Sequence, residues 1–244
     1  MNILALIPAR GGSKGVPKKN IKLLNSYPLI SYSIGIAKLS SKINKILVTT
    51  DSKEIADIAL SYGAEVPFLR PKELASDKAL DIGFIKHALD YLKEKENYEV
   101  DLLILLRPTT PLRDISLIEN AIERFISSPK ATSLRSSHLS SNTPFKWFSL
   151  KDEFYNTISN EVTLEDVNKP RQSFPDTYIP NGYIDIIKPE FLYKNDSLYG
   201  DKILSYITPT TFEVDTMEEF EYLEYLTLRD DSLLLKYLKG LINE

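Results

Sequence analysis

The chain has 244 residues, 43% hydrophobic and 26% charged, with a formal net charge of -4. This length and balance suit a globular α/β body with one smaller appendage, and the negative charge argues against a broadly basic grip on nucleic acid. With no cysteine and only two histidines, His87 and His138, disulfides, thiolate metal sites and cysteine nucleophiles are excluded, and little is left for an imidazole metal site.

Taken in chain order, short apolar runs alternate with stretches of helical period. Strands are predicted at "ILALI" (3–7), "KILVTT" (45–50), "AEVPFL" (64–69) and "DLLILL" (101–106), and helices over 28–39, 53–62, 81–95 and 115–127. Runs such as "LLILL" are apolar on both faces, as strands are when helices cover both sides of a parallel sheet. The expected fold class is therefore α/β, a doubly wound, mostly parallel sheet. Asp51 or Ser52 is placed to cap the second helix, Gly63 to close it, and Asp114 to cap the fourth. No apolar stretch approaches the roughly 20 residues of a membrane span, and the run from Ile3 is too short for a signal peptide, so the expected setting is the cytoplasm with no membrane partner.

The pattern loosens over 136–180, where Ser, Asn, Pro and aromatic residues dominate. This segment is read as an insertion into a body made of 1–135 and 181–244. Its apolar residues Phe145, Trp147, Phe148 and Phe154 are expected to pack against a partner chain, because large apolar patches are seldom left in water. Strand-like "YIPNGYIDII" (178–187), "KILSYI" (202–207) and "FEV" (212–214) follow, then helices from 217 onward.

The most informative stretch is "IPARGGSKGVPKKN" (7–20), a glycine-rich loop directly after the first strand. Such a turn aims successive backbone N–H groups into a concavity that binds phosphate oxygens. It has neither the Gly-x-x-x-x-Gly-Lys-Ser/Thr spacing nor the Gly-x-Gly-x-x-Gly spacing of the two common nucleotide loops. Arg10, Lys14, Lys18 and Lys19 concentrate like charge that an anion would neutralise, and a triphosphate is a natural occupant. A solvated basic turn remains the alternative.

Six blocks then occur in order: "IPARGGSKGVPKKNI", "RPKELASD" (70–77), "LRPTTPLR" (106–113), "PRQ" (170–172), "NGYI" (181–184) and "EVDT" (213–216). Together they resemble the acylneuraminate cytidylyltransferase family, which makes CMP-linked nonulosonic acids. The resemblance implies a Rossmann-like nucleotidyltransferase in which the anomeric hydroxyl of a free sugar acid attacks the α-phosphorus of CTP and pyrophosphate leaves. It implies magnesium as the metal ion and a homodimer joined through the insertion.

Carried over position by position, the resemblance assigns Arg10 and Lys19 to the triphosphate and, with Asp215, to catalysis. It places Ala9, Gly11, Gly12, Ser13, Asn20, Arg70 and Asp77 around the nucleotide. Arg107, Thr109, Thr110, Arg171, Gln172 and Asn181 fall on the sugar side. Asp215 and Glu213 are the implied metal ligands; two acids one residue apart on an extended chain point the same way, and magnesium takes one or two carboxylates plus phosphates. The family usually has Asp where this chain has Glu213, and Gln where it has Arg107. An arginine there is expected either to meet a substrate carboxylate or charged substituent, or to pair with a neighbouring acid. Both histidines are read as structural or exposed. Two other readings are a Kdo-type sugar-acid cytidylyltransferase and a regulatory protein that binds nucleotide without turnover; an oxidoreductase is disfavoured by the missing dinucleotide fingerprint.

Overall fold

The computed structural model describes residues 1–242. Along the chain, β1 (Ile3–Pro8) leads through the glycine loop to a two-stranded hairpin of β2 (Leu23–Leu24) and β3 (Tyr27–Pro28). Then come α1 (Leu29–Leu39), β4 (Lys45–Thr49), α2 (Lys53–Ser61), α3 (Asp81–Glu96), β5 (Leu102–Leu105) and α4 (Ile115–Ile126). β6 (Ser133–Leu139), the hairpin β7 (Phe148–Lys151) and β8 (Phe154–Thr157), and the long β9 (Tyr178–Ile187) follow. The chain closes with α5 (Pro189–Asn195), β10 (Ile203–Ile207), α6 (Met217–Thr227) and α7 (Leu233–Ile242).

Six strands form one sheet in the order β10-β6-β9-β5-β1-β4. β4, β1 and β5 are parallel to one another, as are β10 and β6, while β9 runs antiparallel between β5 and β6. The period-2 alternation of β1 explains its wholly apolar sequence: Ile3, Ala5 and Ile7 enter one core and Leu4 and Leu6 the other. The first core is capped by α1, α4, α6 and α7 through residues such as Ile34, Phe125, Phe220 and Leu238. The second is capped chiefly by α3, through Phe84, Ile85 and Leu89, with Leu192 of α5. Each fully buried Leu or Ile contributes about 1.5–3 kcal/mol relative to exposure.

The four predicted helices are present, and Ser52 and Asp114 cap α2 and α4 by accepting from the N–H groups of Ile55 and Ser116. Two predicted strands are not formed. Of 64–69 only Glu65 pairs, in a single bridge to Leu47; Pro67 follows, and a proline has no N–H to extend a ladder. The 212–214 stretch makes one link, Val214 N–H to the Thr109 carbonyl at 2.8 Å. The sheet also keeps residues expected in the insertion: β6 runs on to Leu139 and β9 begins at Tyr178, so the excursion from the sheet covers 140–177. It carries the β7–β8 hairpin, whose Leu150, Phe154 and Tyr155 are 70%, 74% and 65% exposed. No helix among the described residues is long and apolar enough to cross a membrane.

Candidate active site

β1, β4 and β5 end on the same edge of the sheet, and the loops that leave them wall a cleft of about 450 Å³. This is where an open α/β sheet collects ligands. The lining includes Arg10, Ser13, Lys19, Asn20, Arg70, Asp77, Arg107, Thr109 and Asp215, drawn from four of the six sequence blocks.

The glycine loop is held in shape by its own side chains. Asn20, buried, donates from Nδ2 to the Arg10 carbonyl at 2.9 Å. Gly11 N–H donates to Asp51 Oδ1 at 2.8 Å, so this amide is committed to the fold; of the three amides assigned to a phosphate cradle, only those of Gly12 and Ser13 remain. Gly15, assigned no role in the sequence reading, has the tightest packing requirement: a Cβ there would overlap the Asp215 carbonyl oxygen. The contact joins residues 200 apart in sequence and leaves no local signature beyond the glycine itself.

The cations of the loop take distinct positions. Arg10 NH1 lies 2.8 Å from Asp77 Oδ1, and Lys14 Nζ lies 2.5 Å from Asp77 Oδ2. Lys14 and Arg10 together hold the Asp77 carboxyl below its ordinary range. Lys18 is turned away, paired with Glu54 at 2.8 Å. Lys19 is mostly buried and reaches across the cleft, with Nζ 3.0 Å from Asp215 Oδ1 and 2.5 Å from the Val214 carbonyl. Asp215 is set by the start of α6: Glu219 Oε2 accepts from the N–H groups of Asp215 and Thr216, and Thr216 caps the helix in return. A carboxylate is thereby fixed beside an ammonium at the mouth of a cationic cleft.

Arg70 is buried, donates to Thr49 Oγ1 and its carbonyl, and stacks on Phe84 with 4.4 Å between guanidinium carbon and ring centroid. Burial pushes its pKa down to about 10, against the pull of Asp51 and Asp81, so it stays charged at neutral pH. Its flat, stacked guanidinium is suited to a planar acceptor such as a base or to phosphate oxygens.

On the sugar-assigned side, the side chains divide sharply. Arg107 donates from NH1 to Asp185 Oδ2 at 2.6 Å and from NH2 to Asp81 Oδ2 at 2.7 Å. Burial alone would lower its pKa, but Asp185 and Asp81 hold it well above the usual range. The pairing alternative is therefore realised, with NH1 and NH2 each engaged by a carboxylate while the side chain still lines the cleft. Thr110 and Asn181 are buried struts: Thr110 Oγ1 donates to the Asn181 carbonyl, and Asn181 Nδ2 donates to Thr208 Oγ1. Thr109 lines the cleft. Arg171 and Gln172 sit apart in a 3₁₀ turn of the excursion, Arg171 donating to the Ser140 carbonyl at 2.5 Å. Ala9 is buried in the core.

Arg113, the last residue of the 106–113 block, secures this wall. It is buried and donates to the carbonyls of Tyr183, Arg107 and Gly182 and to Ser33 Oγ; burial pushes it down to about 10. Gly182, at φ +59°, needs glycine, and its open side faces Thr110 Oγ1 and Glu213 Oε1. Glu213 is half-buried, and burial followed by the nearby Asp215 charge pushes its carboxyl up. His87 packs edge-on against Phe68, and His138 lies 3.3 Å from Asn181 Nδ2; neither lines the cleft.

Comparison with known proteins agrees with the geometry. A cytidylyltransferase family profile matches residues 4–236. The chain is 38% identical over 227 residues to post-translational flagellin modification protein B of Campylobacter coli, covering 92% of this chain and 94% of that one. It is 36% identical over 221 residues to the N-acylneuraminate cytidylyltransferase of Escherichia coli O18:K1:H7, covering 90% of this chain but 50% of that protein's length. The fold matches CMP:2-keto-3-deoxy-manno-octonic acid synthetase complexed with CTP at a TM-score of 0.68 and 16% identity, covering 94% of this chain and 99% of that one. As its six ordered motifs implied, the chain belongs to the cytidylyltransferase family of nucleotidyltransferases.

Proposed function

We propose that the protein transfers CMP from CTP to the anomeric hydroxyl of a nonulosonic acid and releases pyrophosphate. The observation that carries this reading is the meeting of Arg10, Lys19 and Asp215 in one cleft at the carboxyl edge of the sheet. In the step, the anomeric oxygen bonds to the α-phosphorus, the bond to the bridging oxygen of pyrophosphate breaks, and the hydroxyl proton leaves. Arg10 and Lys19 would neutralise charge moving onto the departing phosphates, and Arg70 would anchor the nucleotide. Asp215, well exposed, would take the hydroxyl proton or hold the cation that makes its loss easier.

The residues fit magnesium. Asp215 and Glu213 offer hard oxygen donors, and the mutual repulsion that helps raise the Glu213 carboxyl is what a divalent cation would relieve. When bound, that ion would supply Lewis-acid stabilisation of the phosphate oxygens.

The exposed β7–β8 hairpin supports a homodimer. Phe148 and Tyr155 pack on it as tilted rings with centroids 5.0 Å apart, and with Leu150 and Phe154 they form an apolar surface that a second copy would cover. Arg171 and Gln172, which do not line the cleft of their own chain, would then serve the partner's. The setting we favour is the cytoplasm. The test is magnesium-dependent pyrophosphate release from CTP with neuraminic, legionaminic, pseudaminic and Kdo acids side by side. Turnover with a nine-carbon acid supports the reading; turnover with Kdo alone shifts it to the eight-carbon substrate. CTP binding without release with any of them leaves a regulatory nucleotide-binding protein.

A further inference from the structure

The Arg107 network carries a consequence for substrate choice. Asp185 is 2% exposed at its side chain and owes its charge balance to Arg107; Tyr199 adds a hydroxyl donor at 3.0 Å, and Arg135 Nε stands 3.9 Å off. Asp185 Oδ1 is buried without a hydrogen bond. Arg107 cannot swing toward a ligand without stranding this buried carboxylate, a costly event. Its second contact is different. Asp81 opens α3, lines the cleft and is 37% exposed. One oxygen, Oδ2, accepts from Arg107, and among the described residues Oδ1 accepts no hydrogen bond. Arg107 and Arg135 stand beside the two carboxylates and Arg70 lies within the field of Asp81, so the charges of this wall are balanced, and what it offers a ligand is the unused Asp81 oxygen.

We propose that Asp81 is a substrate-reading residue, its free carboxylate oxygen accepting a hydrogen bond from an N–H or O–H substituent of the sugar acid, with Arg107 and Asp185 as the residues that position it. The proposal rests on the reading of the cleft as a sugar-acid site and extends it.

Substitution Asp81→Asn tests the polarity. Arg107 only donates, so it pins the carboxamide oxygen and turns the amide NH₂ toward the cleft, replacing an acceptor with a donor. KM for the sugar acid is expected to rise roughly tenfold or more, the ratio for losing a charge-assisted hydrogen bond, while KM for CTP stays within about twofold. Because Arg107→Gln alone would strand Asp185, the paired Arg107→Gln/Asp185→Asn variant removes both charges together. It is expected to raise the sugar KM comparably, and adding Asp81→Asn to it should have little further effect, since residues acting through one another are not additive. An equal or larger rise in KM for CTP would assign Asp81 to the nucleotide and overturn the proposal, as would no change in either constant, or full additivity of the variants. Wild-type protein silent with every acid would remove the function and this proposal with it, a result distinct from a live enzyme indifferent to Asp81.

Discussion

Gly15→Ala is the sharpest probe of the cleft. The added methyl would meet the Asp215 carbonyl oxygen well inside the 3.0 Å at which something must shift, and the obstacle is backbone that cannot rotate away. The loop and the 214–216 segment must part by about 1 Å, a displacement that in a preorganised site can cost on the order of 10²-fold in rate. The ion pair between Lys19 and Asp215, now 3.0 Å, opens with them. Stability should suffer less: overpacking of this kind costs about 1–3 kcal/mol, which for a chain of this size lowers Tm by roughly 2–12 °C. Gly12→Ala in the same loop is the control, since its Cβ would find nothing within 4 Å. The assay is steady-state pyrophosphate release alongside thermal melting. Gly15→Ala with kcat/KM within about threefold of wild type would refute the claim that loop and carboxylate are held in register by this contact.

Three further outcomes are expected. Arg113→Leu leaves carbonyls of Tyr183, Arg107 and Gly182 without their buried donor, and a loss of about 3–5 kcal/mol in urea unfolding is expected. Burial, with Arg70 nearby, lowers the His87 pKa; a base whose folded pKa is depressed favours the fold above its ordinary value and weakens it as pH falls through that value. Melting temperature should therefore decline below about pH 6.5, and His87→Phe should flatten that decline. Phe154→Asp should convert a dimer to a monomer in light scattering and leave the circular dichroism of the body intact; a dimer that persists would move the interface away from the hairpin.

Much of the architecture is written locally in the chain. β1 and β5 announce themselves because burial on both faces leaves no place for a polar residue, and α2 and α4 carry their caps one residue before they start. The failed strand at 64–69 shows the limit: Val66 and Phe68 look strand-like, yet Pro67 and the edge position beside β4 allow one bridge. In the cleft, Arg10, Lys19 and Asp215 were legible as charge beside glycine and acid beside a helix start. Gly15, Asp81 and Arg113 were not, because each draws its role from residues remote in sequence. Asn181 and Thr110 mislead for the opposite reason: a polar side chain in a motif reads the same whether it faces a ligand or braces a wall.

The link between Gly15 and the Asp215 backbone also orders events during synthesis. Five of the six strands can assemble once β9 has emerged from the ribosome, and the sixth with β10, yet the arm bearing Asp215 comes later still. A chain ending near residue 207 would carry every strand of the sheet but lack both α6 and α7, which close the first core, and the carboxylate opposite the nucleotide loop, so one and the same segment finishes the core and finishes the site.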